Sequence, residues 1–310
     1  MSDAIRRQLA LQKQRTKQSQ ELMDSVNENL VKTYLESFKT IEKSLSDLYS
    51  KLSNPPTLED AKKYGRLASL EKQISEEISK LTGKSISIIG NSSKSQWELA
   101  FRSSQWAMEA KISASVDWSA LPTKAIEDSV LSEVSGAVYS SRIKFLAGKT
   151  IDSTIQSLKR ALINGNSLSQ VSAGLRSNYQ SGYSDAYRVM RTEAHRNYSE
   201  GNLASSSSFE KLGIKSKKKW ISLIDERTRP DHAQMDGEYS DEDGIFTLPD
   251  GERFLAPLVA ESGTGDPAQI INCRCTYVDE VVDFPQDLGT ARDASETFPD
   301  YQTWLDEKDF

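Results

Sequence analysis

Val26, Leu30, Tyr34, Phe38, Ile41, Leu45, Leu48 and Leu52 recur at spacings of three and four residues, and Asn54-Pro55-Pro56 ends the series. That period lays one apolar stripe along a long helix. Proline stops it, because the ring removes a donor and disfavours helix in the residue before it. A helix of this length with one apolar face must bury that face. Thr57 stands three residues before Asp60, the spacing of a helix cap. The stripe that follows, Leu67, Leu70, Ile74, Ile78 and Leu81, supplies a partner, with Gly83 as the expected C-cap. The pair reads as an antiparallel helical hairpin. Its outer surface is either a plain solvated face or a surface for self-assembly or a partner helix.

Beyond Gly83, Ile86 to Gly90 reads as a short strand or an extended link. A helix with Trp97, Phe101, Met108 and Ile112 on one side comes next, and Pro122 marks a further break. Ile151, Ile155, Leu158 and Leu162 predict a short helix, Asn164-Gly165-Asn166 a turn, and Ser167 the cap of another short helix. A third runs from about Asp185 into Gly201, and Ser205 to Ser208 reads as a loop. After Lys215 the pattern changes. Lys219 to Ile224 and Ile270 to Val278 read as strands, with Asp236-Gly237, Asp243-Gly244 and Pro249-Asp250-Gly251 as turns between short strands. The expected fold is α+β: a helical region over 1–149, a small mixed module with short strands over 150–280, and a disordered acidic tail over 281–310.

The formal net charge is −6, but it is unevenly spread. Residues 1–20 hold Arg6, Arg7, Lys13, Arg15 and Lys17 against Asp3 alone, whereas residues 279–310 are strongly acidic. Such ends mark interaction segments or solvated arms. Phe284, Phe298, Tyr301, Trp304 and Phe310 in the acidic tail are candidate anchors for a basic partner surface. Cys273 and Cys275 do not make a disulfide framework and fit a reducing compartment. The first twenty residues lack the apolar core of a secretory signal, and no apolar run reaches the roughly 20 residues of a membrane span. A soluble protein, made in the cytoplasm and without a membrane partner, is expected.

Reactive side chains crowd between Trp220 and Cys275. Cys273 and Cys275, read as alternate positions of one strand, share a face. With His232 and a carboxylate from Asp225 or Asp236 they would complete a tetrahedral zinc set, although one residue between cysteines is closer than common zinc spacings. The competing expectation is a buried polar knot that holds irregular loops, with no cofactor. Asp225, Arg227, Arg229 and His232 could also serve a phosphodiester. No nucleophile signature, phosphate-cradling glycine loop or repeated carboxylate motif accompanies them. Lys215, Lys217, Lys218 and Lys219, read as a loop cluster, together with Arg6 and Arg7, are candidates for non-specific contact with DNA phosphates.

A distributed pattern joins these residues. It comprises the helices around Gly165, then Arg191-Thr192-Glu193, then Trp220. Asp225-Glu226-Arg227-Thr228-Arg229 with His232 follows, then Gly237, Phe246, Pro257 and Asn272-Cys273-Arg274-Cys275. In this order and spacing the segment from about 150 to 280 resembles the Mu F-like minor head (head morphogenesis) proteins of tailed double-stranded DNA bacteriophages. Gly263-Thr264-Gly265-Asp266-Pro267 departs from the proline-rich stretch of many members. The resemblance implies a structural protein rather than an enzyme, placed inside the procapsid. It implies association with the portal protein at its vertex, or with scaffold or self, contact with packaged double-stranded DNA, and delivery with that DNA at ejection. Some relatives carry toxin domains after the module; the acidic stretch of roughly thirty residues that follows it here is expected to hold none. Arg191, Glu193, Trp220, Asp225, Arg227, Thr228, His232, Gly237, Asn272, Cys273 and Cys275 are then expected to hold the module in shape. The alternative is a metal-dependent phosphodiesterase or nuclease using Asp225, His232, Cys273 and Cys275.

Overall fold

A computed structural model describes residues 3–291 and 298–308. The helices are α1 (Asp3–Tyr49), α2 (Leu58–Lys62), α3 (Arg66–Ile112), α4 (Thr123–Val130), α5 (Tyr139–Ile163), α6 (Leu168–Lys211), α7 (Pro230–Gln234), α8 (Pro267–Ile270) and α9 (Tyr301–Glu307). The strands are β1 (Ala114–Ser115), β2 (Lys215–Ile221), β3 (Phe246–Thr247), β4 (Arg253–Ala256), β5 (Val259–Ala260), β6 (Thr276–Asp283) and β7 (Thr290–Ala291). The long helices fill the N-terminal part and the short strands the C-terminal module, as the α+β reading expects.

Contacts divide the chain into two compact units. One holds residues 24–90 and 138–190, the other 1–23, 91–137 and 191–310. They interleave along the sequence, and α1, α3 and α6 each supply both.

The first unit is helical. Leu30, Ile41 and Leu45 of α1 are fully buried. Phe38, Ile41 and Leu45 share one core with Leu67, Leu70, Ile74, Ile78 and Leu81 of α3, and with Leu158 and Leu162 of α5 and Leu175 of α6. The two sequence stripes therefore pack together. Thr57 caps α2 as expected, its hydroxyl accepting from the Asp60 N–H at 3.1 Å.

Two expected breaks are absent. Gly83 and Ile86 to Gly90 lie inside α3, and Ser205 to Ser208 lie inside α6. Weak local propensity has yielded to tertiary packing. Gly201 shows why small residues recur here: a Cβ built on it would stand 2.2 Å from the Trp97 carbonyl oxygen, so only glycine lets α6 approach α3 this closely in the second unit. Ser206 works similarly. Its hydroxyl bonds the Asn202 carbonyl one turn back and lies 2.8 Å from an Asp279 carboxylate oxygen.

In the second unit β2 and β6 form an antiparallel ribbon, β3-β4-β5 a three-stranded sheet and β1-β7 a short pair. Trp220 faces Tyr277 in the ribbon, and both are buried with Phe246, Phe254 and Leu258. The lysines expected on a loop are in β2 itself. They face acidic β6, with Lys217 opposite Glu280 and Lys218 opposite Asp279. Cys273 and Cys275, expected within a strand, instead precede β6, because Asp266 and Pro267 start α8 with an N-cap and a first-turn proline.

The tail expected to be disordered is ordered over 298–308. Asp300 caps α9, and Tyr301 and Trp304 are buried with Trp106, Trp118 and Phe209. Phe284 and Phe298 pack against the same cluster. These aromatics therefore pack the tail onto its own chain. Phe310 lies outside the described residues. The cluster surrounds Glu109, which is fully buried. Its carboxylate accepts from Trp118 Nε1 at 2.8 Å, the Val116 N–H at 2.9 Å, Trp304 Nε1 at 2.9 Å and Lys308 Nζ at 2.6 Å. Four donors, one of them cationic, make that burial tolerable.

Candidate functional site

The site begins where β2 ends. Ser222, two residues past Trp220, accepts from Trp220 Nε1 at 3.0 Å and donates to the His232 carbonyl at 2.6 Å. Its N–H donates to Asp236 at 2.8 Å. Gly237 has φ +86, a conformation that favours glycine, and its N–H returns to the Trp220 carbonyl at 2.9 Å. These bonds fix the hairpin that brings α7 back over Trp220.

Arg229 and Pro230 open α7, and its short turn buries His232, which is 3% exposed. The imidazole meets the Trp220 ring edge-on at 5.7 Å. Its Nε2 lies 2.9 Å from Gln269 Oε1. The Gln269 amide nitrogen donates to Asp231 at 3.0 Å and Asp250 at 2.5 Å, so its oxygen must face the histidine. An amide oxygen only accepts, so Nε2 carries the proton and Nδ1 presents its lone pair. Cys273 Sγ and Cys275 Sγ each lie 3.4 Å from that Nδ1. Both sulfurs are buried and both thiols are free of disulfides.

The thiols differ electrostatically. Burial pushes Cys273 up. Cys275 is pulled well below the usual thiol range by its hydrogen bond with Cys273, assisted by His232 and Ser222.

Asp225 lies apart from this group. Its carboxylate takes a two-pronged bond from Arg274, at 2.6 and 2.5 Å. It also accepts the Arg227 N–H at 2.9 Å, while the Asp225 N–H donates to Thr228 Oγ1 at 2.9 Å. Arg274, then the Arg227 N–H, hold the Asp225 carboxyl well below the usual carboxylate range. Among the described residues, the set with ligand geometry for a metal is His232, Cys273 and Cys275, within 4.8 Å of one another, without Asp225. The Asp225–Arg274 clamp ties the loop after β2 to the segment between the cysteines.

Asn272, at φ 62, turns that segment, and its N–H donates to Thr192 Oγ1 of α6 at 3.2 Å. One residue on, Glu193 is fully buried and bonded to Arg196 at 3.0 Å, and Arg196 donates to the Ser129 carbonyl at 2.6 Å. Arg191 stands beside half-buried His195. Burial, then Arg191 and Arg274, push the His195 pKa down to about 4.

The candidate DNA residues are differently placed. Lys215 and Lys217 are exposed. Lys215 pairs with Asp283 at 3.2 Å and Lys219 with Glu280 at 3.5 Å. Lys218 donates to the Leu255 carbonyl at 2.5 Å, and burial lowers its pKa. The side chains of Arg6 and Arg7 lie outside the described residues. Nearby Arg15 is buried, donating to Ser104 at 2.7 Å and Asn202 at 2.5 Å.

Sequence reasoning missed Ser222, Gln269, Asp231 and Asp250. Ser222 had a weak signal, its two-residue offset from Trp220 on a strand. Gln269 had none, because a lone glutamine in a single helical turn carries no period.

Residues 153–278 match the family described as Phage Mu protein F like protein. The chain is 22% identical over 271 residues to the minor head protein of Bacillus phage SPP1, covering 84% of this chain and 86% of that protein. It is also 28% identical over 173 residues to an NAD(+)–arginine ADP-ribosyltransferase of Enterococcus faecalis. That match covers 55% of this chain but spans only 34% of the relative's length. No solved structure matches. Among the described residues, no helix is long and apolar enough to cross a membrane. The Mu F-like match spans the side chains that knit the module together, and the similarity to a phage minor head protein extends over most of the chain.

Proposed function

We propose that the chain is a non-enzymatic minor head protein that acts in procapsid assembly. It sits inside the procapsid at the portal vertex, with the portal protein as its main partner. Scaffold protein or a second copy is the secondary partner, and the work takes place in the host cytoplasm until the virion is complete. One observation carries the structural reading. Trp220, His232, Cys273, Cys275 and Glu193 are buried, and Asp225 is spent on an internal clamp with Arg274. Groups placed this way hold a module together and do not meet a substrate.

A phosphodiesterase would need Asp225 beside His232, whereas the Asp225 carboxylate faces Arg274. The activity in the name of the Enterococcus faecalis relative belongs to a protein of which this chain spans about a third. Non-specific contact with packaged DNA, and passage out with it, rest on the exposed Lys217 and on Lys215, whose ion pair with Asp283 is itself exposed to solvent. Lys218 and Lys219 are engaged within the module.

Co-purification tests the proposal. The full chain, co-produced with the portal protein of the same head, is expected to co-elute with portal rings and to stay bound when nuclease removes DNA. Separate elution of two well-folded proteins at every salt concentration would overturn the portal assignment.

A further inference from the structure

We propose that His232 Nδ1, Cys273 Sγ and Cys275 Sγ bind one zinc ion, which cross-links the module internally. This rests on the site alone and does not depend on the role in head assembly.

The first ground is convergence. Gln269, held by Asp231 and Asp250, leaves His232 one lone pair, at Nδ1. Two sulfurs point at it from 3.4 Å each. One lone pair accepts one good hydrogen bond, so only one thiol can donate to it, and the other acceptor open to Cys275, Ser222 Oγ, stands at a long 3.5 Å. A cation between them satisfies all three atoms at once.

The second ground is distance. Zinc bonds of about 2.3 Å to sulfur and about 2.0 Å to nitrogen, at tetrahedral angles, place nitrogen and sulfur about 3.5 Å apart. The two observed separations of 3.4 Å match that figure.

The third ground is the supporting shell. Metal-binding histidines donate their other ring nitrogen to a fixed acceptor, and Gln269 Oε1 is that acceptor here. The Cys275 N–H points at Cys273 Sγ from 3.4 Å, as amides do toward coordinating thiolates. Ser222 Oγ accepts from Cys275 Sγ at 3.5 Å and so helps to orient that sulfur.

The donor set of two sulfurs and one imidazole selects a borderline-soft ion such as zinc over magnesium or calcium. All three ligands are buried, which keeps out substrate-sized molecules. The ion therefore staples α7 to the segment before β6, a link between residues 41 and 43 positions apart. Binding displaces the thiol protons to solvent and changes no oxidation state.

The test uses the full chain expressed with zinc present. Elemental analysis is expected to find one zinc per chain, and Gln269→Leu, which keeps all three ligands, is expected to weaken zinc binding about 10- to 100-fold. A ligand variant can fail to fold, so the deciding arm uses unmutated protein. Zinc is stripped with a chelator and cobalt(II) is added. Thiolate-to-cobalt charge-transfer absorption saturating at one equivalent supports the site, as does alkylation of both cysteines only in stripped protein. Unmutated protein that gives no cobalt–thiolate absorption, and whose cysteines are equally shielded with and without chelator, would overturn it.

Discussion

Replacing Trp304 tests whether the C-terminal segment is part of the fold. Trp304 is fully buried, stacks on Tyr301 at 6.1 Å, and donates its indole N–H to Glu109 at 2.9 Å. Trp304→Ala removes the packing and leaves a cavity, a change that costs about 3–5 kcal/mol in well-packed cores. It also takes one of four donors from a buried carboxylate, and an imperfectly satisfied buried acceptor costs about 1–3 kcal/mol. These terms overlap, because water entering the cavity can serve Glu109, so we expect about 4 kcal/mol. Trp304→Phe separates them, retaining most of the ring volume but not the donor, with an expected cost of about 2 kcal/mol. The assay is urea unfolding followed by circular dichroism, with proteolysis of the native protein as a second probe. Early release of the C-terminal segment is expected in Trp304→Ala. A Trp304→Ala protein within about 0.5 kcal/mol of the unmutated chain, the range of ordinary surface changes, would refute the docked tail.

Three further outcomes follow. Gly201→Ala forces a Cβ to 2.2 Å from the Trp97 carbonyl oxygen and should destabilise the second unit by about 1–3 kcal/mol, read as a lower urea midpoint. Arg274→Ala leaves Asp225 without its clamp, and faster amide exchange across residues 223–229 is the expected result. His195 gives a pH signature. Its folded pKa is lowered from 6.5 to about 4, so the unfolded chain binds this proton first as pH falls. The stabilisation is present above about pH 6.5 and is lost between there and pH 4. It is worth up to about 3 kcal/mol, and His195→Gln should flatten that slope of stability against pH.

Much of the helical part is legible in the sequence because burial and periodicity coincide there. Ile41, Leu45, Ile74 and Ile78, chosen by spacing alone, are all fully or almost fully buried. The misreadings share a cause. Gly83, Gly90 and Ser205 to Ser208 resemble breaks to local rules, yet they lie in continuous helices; a Cβ added at Gly90 would meet the Tyr139 hydroxyl, whereas one at Gly83 would meet nothing. The tail misled because charge pattern hides Trp304, whose partner Glu109 is 195 residues away. In the site, Trp220, His232 and the cysteines stand out by residue type. The separation of Asp225 from them does not, because it depends on Arg274 across 49 residues. Gln269, which fixes the histidine tautomer, is visible only in three dimensions.

The central claim is that this chain builds into a phage head. The most direct measurement is quantitative mass spectrometry of procapsids purified from cells producing the complete set of head proteins, with and without the portal protein. A chain that builds into the head at the portal vertex co-sediments with procapsids at low copy and disappears from particles that lack portal. A folded, abundant chain that stays entirely outside the particles, or that enters them equally well without portal, would contradict it.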